Sequence, residues 1–277
     1  MAKRKSRIQL RNGAEADGLR EAGRIAAEVL RLSSELVRPG ITTGEIDAAS
    51  AELIAERNCI SAFLGYRGFP GNICISLNEE VVHGIGSDRV LIDSDIVKID
   101  VGIQTPEGWI GDNAKTVPVG AISQETESLL AETEESLYQA ISHARDGELL
   151  STLCASVEDH VANFGFTVVK EFVGHGVGRN LHEEPQVPNY WDKDEMQLRR
   201  FKNPRLQAGM VLAIEPMVNA GTDKVRILDD DWTVVTEDRA LSAHFEHTVL
   251  ITESEPEILT QRVRSFDSKA NGNITAA

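Results

Sequence analysis

Two acidic side chains that could bind divalent metal ions lie where the packing of an ordinary strand does not favour them. Glu215 interrupts the apolar run M-V-L-A-I-E-P-M-V at its centre. Asp100 lies between Ile99 and Val101 in a segment that is otherwise apolar. An unpaired carboxylate is costly to bury in such a strand, so packing alone does not account for either acid.

Two histidines stand in the glycine-rich stretch Phe172–Pro185, which reads F-V-G-H-G-V-G-R-N-L-H-E-E-P. Glycines on both sides of His175 remove Cβ crowding, so its imidazole is predicted to lie on a sharp turn at the end of the apolar strand Thr167–Val173. This presentation is typical of a metal ligand, although a surface histidine in a glycine-rich turn gives the same pattern. His182 follows seven residues later.

Asp100 is also predicted to meet a further acid, Asp112, across a β-hairpin. Ile96–Ile103 and Trp109–Val117 are strand-like, and T-P-E-G between them has turn chemistry. If the hairpin folds about Pro106, Asp100 faces Asp112 with Cβ atoms roughly 5 Å apart. Two like charges there repel each other unless a cation lies between them. The alternative is an exposed hairpin face with two solvated acids.

Another acid, Glu246, stands at the start of the last predicted strand, in S-A-H-F-E-H-T. With Asp100, Asp112, Glu215 and His175 it makes an oxygen-rich set with one imidazole, which suits a pair of divalent ions bridged by carboxylates and by water or hydroxide. The chemistry that such a set indicates is hydrolysis. The sequence contains no G-x-S-x-G, G-x-G-x-x-G or P-loop pattern. It therefore gives little support for a serine nucleophile, a dinucleotide site or a nucleotide-phosphate site.

Aromatic side chains on a glycine-bearing loop suggest an apolar pocket. The loop S-A-F-L-G-Y-R-G-F-P carries Phe63, Tyr66 and Phe69, which either line such a pocket or cover the edge of the core. His83 lies between apolar residues and a glycine, where a structural histidine is the simpler interpretation.

Helical periodicity and capping patterns predict the elements that cover the strands. An amphipathic helix is predicted over Leu19–Val37, ended by Pro39-Gly40, and Thr42-x-x-Glu45 is a capping box for a second helix to about Arg57. Further predicted helices are Ser123–Ala144 and Ser151–Phe164, and further strands are Asn72–Leu77, Met210–Val218, Lys224–Leu228, Trp232–Thr236 and Thr248–Thr252. Residues 189–207 are predicted to form a long polar surface loop.

Composition excludes some classes of function. The 277 residues carry a formal net charge of −16, which disfavours non-specific nucleic-acid binding by the whole surface. The chain has no apolar run of about eighteen residues and no signal-peptide pattern, and its three cysteines lack metal-type spacing, so we expect a soluble cytoplasmic protein. Residues 1–12 are predicted to be a basic flexible tail, 13–261 one domain, and 262–277 a disordered tail. The basic tail could contact a ribosome.

Five motifs together resemble the type I methionine aminopeptidases from about Arg20 to Thr252: G-H-G-V-G-R-N-L-H-E-E-P, I-D-V-G, G-D-N-A-K-T, M-V-L-A-I-E-P and A-H-F-E-H-T. The resemblance implies the α/β (α+β) pita-bread fold, with a curved antiparallel β-sheet, helices on its outer face and two pseudo-symmetric halves. It also implies an enzyme that removes the initiator methionine from nascent polypeptides when the second residue is small. We separately expect a monomer, although the sequence itself is silent on oligomeric state.

The resemblance assigns a role to each candidate residue. Two divalent ions (cobalt, manganese, iron or zinc) would be held by Asp100, Asp112, His175, Glu215 and Glu246. Glu215 would also move the proton of the attacking water. His182 would hydrogen-bond the scissile carbonyl, and His83 would contact the scissile nitrogen. The methionine pocket would be formed by Tyr66, Phe69, Cys74, Leu181 and Trp232, with Phe63 at its rim.

This sequence departs from the family pattern in the stretch between His175 and Glu215. That stretch is several residues longer, mostly within Trp191–Arg205, and Asn180-Leu181 replaces the more common glycine followed by a larger residue. The spacing from Asp100 to Asp112 is also one residue longer than we expect. Two alternatives remain: a proline-directed aminopeptidase or prolidase of the same fold, and a non-catalytic pita-bread protein that binds partners.

Overall fold

The computed structural model describes residues 8–192 and 201–266, and these residues form antiparallel sheets covered by helices. The α-helices are α1 (Ala14–Glu35), α2 (Thr43–Glu56), α3 (Gln124–Ser142) and α4 (Leu150–Ala162). The strands are β1 (Ile60–Ser61), β2 (Cys74–Leu77), β3 (Ile96–Gln104), β4 (Ile110–Pro118), β5 (Thr167–Val168), β6 (Gly174–Gly176), β7 (Glu183–Val187), β8 (Val211–Ile214), β9 (Met217–Asn219), β10 (Val225–Ile227), β11 (Val234–Thr236), β12 (Ser242–His244), β13 (His247–Leu250) and β14 (Glu257–Ile258). A short 3₁₀ turn covers Tyr66–Gly68.

The helix predictions are confirmed where capping chemistry defines an end. Thr42 Oγ1 accepts the N–H of Glu45 at 3.1 Å, and the Glu45 carboxylate accepts the N–H of Thr42 at 2.8 Å, so the capping box is complete. Ser123 caps α3 by accepting the N–H of Thr126. By contrast, α1 begins five residues earlier than predicted, directly after Gly13, because that end has no side-chain cap to mark it.

Two apolar cores lie between helices and sheets. In the first half of the chain, Leu30 of α1 packs in one buried cluster with Ile99 of β3. In the second half, Leu137 of α3 shares a buried cluster with Leu212 of β8. Strand order is β1-β3-β2 with β4 also on β3 in the first half, and β14-β13-β8-β6-β7 and β12-β9-β5 in the second. The Glu246 N–H donates to the Ala114 carbonyl at 2.9 Å and so joins the halves.

The predicted register of the β3–β4 hairpin is wrong by two residues. Gln104 pairs with Ile110, so Asp100 lies opposite Ala114 and Asp112 opposite Gly102. The connection is a five-residue loop because Gly108, at φ +84°, closes it with its N–H on the Thr105 carbonyl. Since the two acids are displaced by two positions, they remain on one face as diagonal neighbours.

Two predicted strands are interrupted where candidate ligands lie. Only Thr167–Val168 of the segment before His175 is a strand, and His175 itself lies inside β6, paired with Ala213, rather than on a turn. The run 210–218 divides into β8 and β9, which join different sheets, and Glu215 stands at the break rather than in the centre of a strand. The adjacent Pro216 has no N–H, so the ladder cannot continue through it.

The predicted chain ends differ from the structure where residues are described. Arg11 is not free: its guanidinium donates to Glu183 at 2.9 Å. The fold continues past the predicted boundary at 262, because Arg262 donates to the carbonyls of Glu246 and Ala114. Lys3, Arg4, Lys5 and Arg7 lie outside the described residues, and ribosome contact through them stays a prediction.

The predicted surface loop 189–207 is wrong at its two flanks. Tyr190 and Phe201 are buried, with their rings 6.3 Å apart, and Asn189 donates to the Glu215 carbonyl. Residues 193–200, in the middle of this loop, lie outside the described residues. Across the part of the chain that is described, each helix is too short or too polar to span a bilayer.

Candidate metal centre

One cavity of about 230 Å³ is lined by every side chain that was predicted from the sequence to belong to the site. Its polar wall is formed by Asp100 from β3, Asp112 from β4, His175 from β6, Glu215 from the β8–β9 break and Glu246 from the residue before β13. The rest of its lining includes Phe63, Tyr66, Phe69, Cys74, His83, Leu181, His182 and Trp232. Residues from both halves of the chain therefore meet at one site.

The polar wall has the spacing of a metal site. One ligand atom each from Asp112, His175 and Glu246 lie within 4.8 Å of one another. His175 Nε2 is 3.5 Å from Glu215 Oε1 and 3.8 Å from Asp112 Oδ2. Such a set of carboxylates around one imidazole can surround a divalent cation.

No lysine or arginine among the described residues forms an ion pair with the carboxylates of this wall; their near neighbours are histidines. Asp100 Oδ1, Asp112 Oδ1 and Glu246 Oε1 are buried without a hydrogen-bond partner among the described residues. Burial raises the pKa of Asp112 from 3.8 to about 7, and burial together with the neighbouring acids raises the pKa of Glu215 and of Glu246 well above the usual range. Unpaired buried acceptors are expensive, and a bound cation removes that cost, so the donor set fits divalent metal ions.

The imidazole of His175 is prepared for coordination. Burial lowers its pKa to about 3, which keeps the ring neutral. Its Nδ1–H donates to the Gly176 carbonyl at 3.0 Å, because a carbonyl can only accept. The lone pair of Nε2 therefore points to the carboxylates, as a metal-binding histidine requires.

A second neutral histidine, His182, lies over His175 with ring centroids 4.2 Å apart. Burial lowers its pKa to about 4. Its Nδ1 is 2.9 Å from the hydroxyl of Tyr66, and the two rings stack at 5.3 Å. If Tyr66 donates, Nε2 carries the proton and can donate to an oxygen in the cavity.

The backbone at His83 is held in a left-handed conformation, with φ +60°. Residues other than glycine rarely adopt this region, and such strain is concentrated at functional sites. The ring contacts Phe172 at 5.5 Å and Trp232 at 6.4 Å, and burial lowers its pKa to about 4. This backbone strain could not be read from the sequence around His83.

Much of the rest of the cavity lining is apolar and includes an aromatic slot around Phe69 and Trp232. Phe69 and Trp232 meet edge to face at 5.1 Å, and Phe63 and Leu181 are buried beside them. Gly102 makes room for this slot, because a Cβ there would overlap Phe63 Cε1. An unbranched apolar side chain suits a lining of this composition.

Sequence reasoning missed part of the lining: Arg67, Val82, Phe172, Val173, Met217 and His244. His244 is the most consequential, because it is 2% exposed and its Nε2 is 3.9 Å from Glu215 Oε2. The available signal was its position two residues before Glu246 in A-H-F-E-H-T. Phe172 and Val173 similarly begin the glycine-rich stretch around His175.

A model of metallopeptidase family M24 matches residues 17–253. The chain belongs to this family. It is therefore a metal-dependent peptidase, and the resemblance on which the fold and the enzyme class were predicted is confirmed.

Relatives in the family extend over nearly the whole chain. Methionine aminopeptidase 1 of Bacillus subtilis is 49% identical over 243 residues, which are 88% of this chain and 95% of that protein. Methionine aminopeptidase of Clostridium perfringens is 47% identical over 253 residues, covering 91% and 98%.

Solved structures confirm the pita-bread fold. Methionine aminopeptidase from Thermotoga maritima matches with a TM-score of 0.87 and 38% identity, covering 92% of this chain and 100% of that chain. Prolidase from Pyrococcus furiosus matches with a TM-score of 0.73 and 21% identity, covering 92% of this chain and 66% of that chain. At that identity the prolidase shows the shared fold alone.

Proposed function

We propose that this chain removes the amino-terminal methionine from polypeptides whose second residue is small, with two divalent ions held in its cavity. The observation that carries the proposal is the division of one cavity into a wall of unpaired carboxylates and an aromatic slot. The first suits metal-assisted hydrolysis and the second suits an unbranched thioether. The names of the relatives support the same activity.

The ions would be held by Asp100, Asp112, His175, Glu215 and Glu246. Divalent ions in such a set supply Lewis-acid chemistry, because they polarise a carbonyl group and lower the pKa of water. The support is the cluster of Asp112, His175 and Glu246 within 4.8 Å, with Glu215 in contact with His175.

Three side chains handle the proton and the developing charge. Glu215 takes the proton of the attacking water and delivers it to the leaving nitrogen, which His83 contacts. His182 donates its Nε2–H to the scissile carbonyl oxygen as that oxygen becomes negative. Tyr66 assists by donating to His182 Nδ1, which keeps the proton on Nε2 where the oxyanion forms.

Specificity is proposed to come from the aromatic slot formed by Tyr66, Phe69, Cys74, Leu181 and Trp232, with Phe63 at the rim. The slot would bury the methionine side chain, and the support is that its residues line the same cavity as the proposed metal ligands. A large second residue would clash with the rim, so alanine or another small residue is preferred.

The test is cleavage of Met-Ala-Ser and Ala-Pro-Ala by protein that is stripped of metal and then loaded with manganese, iron, cobalt or zinc in turn. Metal-dependent release of methionine from the first peptide alone supports the proposal. Cleavage before proline would instead favour the proline-directed alternative. No cleavage with any ion would favour the binding-protein alternative.

A further inference from the structure

The carboxylate of Glu215 lies between two imidazoles, one for each of its oxygens. His175 Nε2 is 3.5 Å from Oε1, and His244 Nε2 is 3.9 Å from Oε2. His175 has a role as a proposed metal ligand. The mechanism above does not use His244, although it is 2% exposed and its Nε2 is buried without a hydrogen-bond partner.

The backbone of His244 is fixed from two directions. Its N–H donates to Thr116 Oγ1 at 2.9 Å, and the same hydroxyl donates to its carbonyl at 2.8 Å. On its other side β12 pairs with β9, where His244 lies opposite Met217. Because strand β4, which holds Thr116, also holds Asp112, the position of the His244 ring is tied to the metal-binding wall.

The chemistry of His244 and Glu215 determines the direction of any hydrogen bond between them. An ionised carboxylate only accepts, so a bond between the two groups requires the proton to be on Nε2 of a neutral ring. The distance from His244 Nε2 to Glu215 Oε2 is 3.9 Å. A rotation of the Glu215 carboxylate that shortens this distance by about 1 Å gives a hydrogen bond of ordinary length. Catalytic hydrogen bonds are often long before ligands bind and shorten afterwards.

We propose that His244 is a positioning residue whose Nε2–H holds Glu215 Oε2, so that Oε1 stays turned toward the metal-binding wall. The proposal rests on the role proposed above for Glu215. Groups that orient a metal-binding carboxylate typically change metal affinity or activity about 10–100-fold when they are removed.

The test compares His244→Gln with His244→Asn. The amide nitrogen of glutamine can take the place of Nε2, whereas the asparagine amide reaches only the Nδ1 position. We expect H244Q to stay within about threefold of the wild-type kcat and Mn²⁺ affinity. H244N should lose roughly tenfold or more in Mn²⁺ affinity by calorimetry and in kcat, with KM for Met-Ala-Ser little changed.

His160 provides a matched control, because its Nε2 is 2.8 Å from Glu132 on the helical face, outside the cavity. Its Gln and Asn variants should bind Mn²⁺ equally and keep full activity. Equal losses in H244Q and H244N, or no loss in either, would overturn the proposal. If the wild type released no methionine, the proposed function would fail, yet the Mn²⁺ affinities would still decide the role of His244.

Discussion

The replacement Asp112→Asn should stabilise the metal-free protein and destabilise the metal-loaded protein. Asp112 is 3% exposed, and its Oδ1 has no hydrogen-bond partner among the described residues. Burial raises its pKa from 3.8 to about 7, so in the absence of metal its ionised form works against folding at neutral and alkaline pH. An asparagine keeps the shape and removes the charge.

The size of the effect follows from the pKa. A rise of about three units corresponds to about 4 kcal/mol at pH 8, where the carboxylate is ionised in both folded and unfolded protein. A buried amide has its own desolvation cost of about 1–3 kcal/mol, which leaves a gain of roughly 2 kcal/mol. For a chain of this size the expected rise in Tm is on the order of 5 °C.

The pH dependence has a definite sign. Because the folded pKa of Asp112 is raised, the folded protein binds more protons than the unfolded protein between about pH 4 and about pH 7. The stability of the metal-free wild type therefore falls as pH rises through this window. The advantage of the asparagine variant should grow over the same window and disappear below about pH 4.

The assay is urea unfolding at pH 8 and pH 4, in EDTA and then with excess Mn²⁺. Metal stabilises the wild type by binding the folded state, so the order of stabilities should reverse in Mn²⁺. Asp95→Asn is a matched control: Asp95 is also buried, but it accepts hydrogen bonds from Ile92 N and Asn78 Nδ2. Asp95→Asn should destabilise both forms. The reasoning is refuted if Asp112→Asn destabilises the metal-free protein as the control does.

Further predictions concern the proposed ligands and pocket. Glu246→Ala should leave at least one ion unbound by metal analysis, and unchanged stoichiometry would contradict its role as a ligand. His182→Ala should lower kcat by roughly two to three orders of magnitude at unchanged metal content, and full turnover would exclude it as the oxyanion donor. Tyr66→Phe should lower kcat about fivefold by removing the donor to His182 Nδ1, and an unchanged kcat would argue against the assigned tautomer. Gly102→Ala should displace Phe63 and raise KM for Met-Ala-Ser without loss of metal; an unchanged KM would remove Phe63 from the pocket.

The sequence predicted those parts of the fold that local chemistry specifies. The capping box of Thr42 and Glu45 determines where α2 begins, and the strands of the β3–β4 hairpin were predicted to within one residue at each end. The predicted register of that hairpin was wrong, because the register depends on whether Pro106 or the left-handed Gly108 closes the loop.

The candidate ligands were found because each stands out against its neighbours in the sequence. An acid such as Asp100 is conspicuous in an apolar strand, whatever the tertiary fold. His244 was missed because its significance lies in a distance to Glu215 that only the packing of β12 on β9 creates. Likewise, the break of the 210–218 strand at Glu215 reflects a change of sheet that local propensity does not encode.

The most direct test of the metal centre is anomalous diffraction from crystals grown with Mn²⁺. Two anomalous peaks are expected in the cavity, bounded by Asp100, Asp112, His175, Glu215 and Glu246. Peaks elsewhere on the protein, with none among these side chains, would contradict the proposed metal centre.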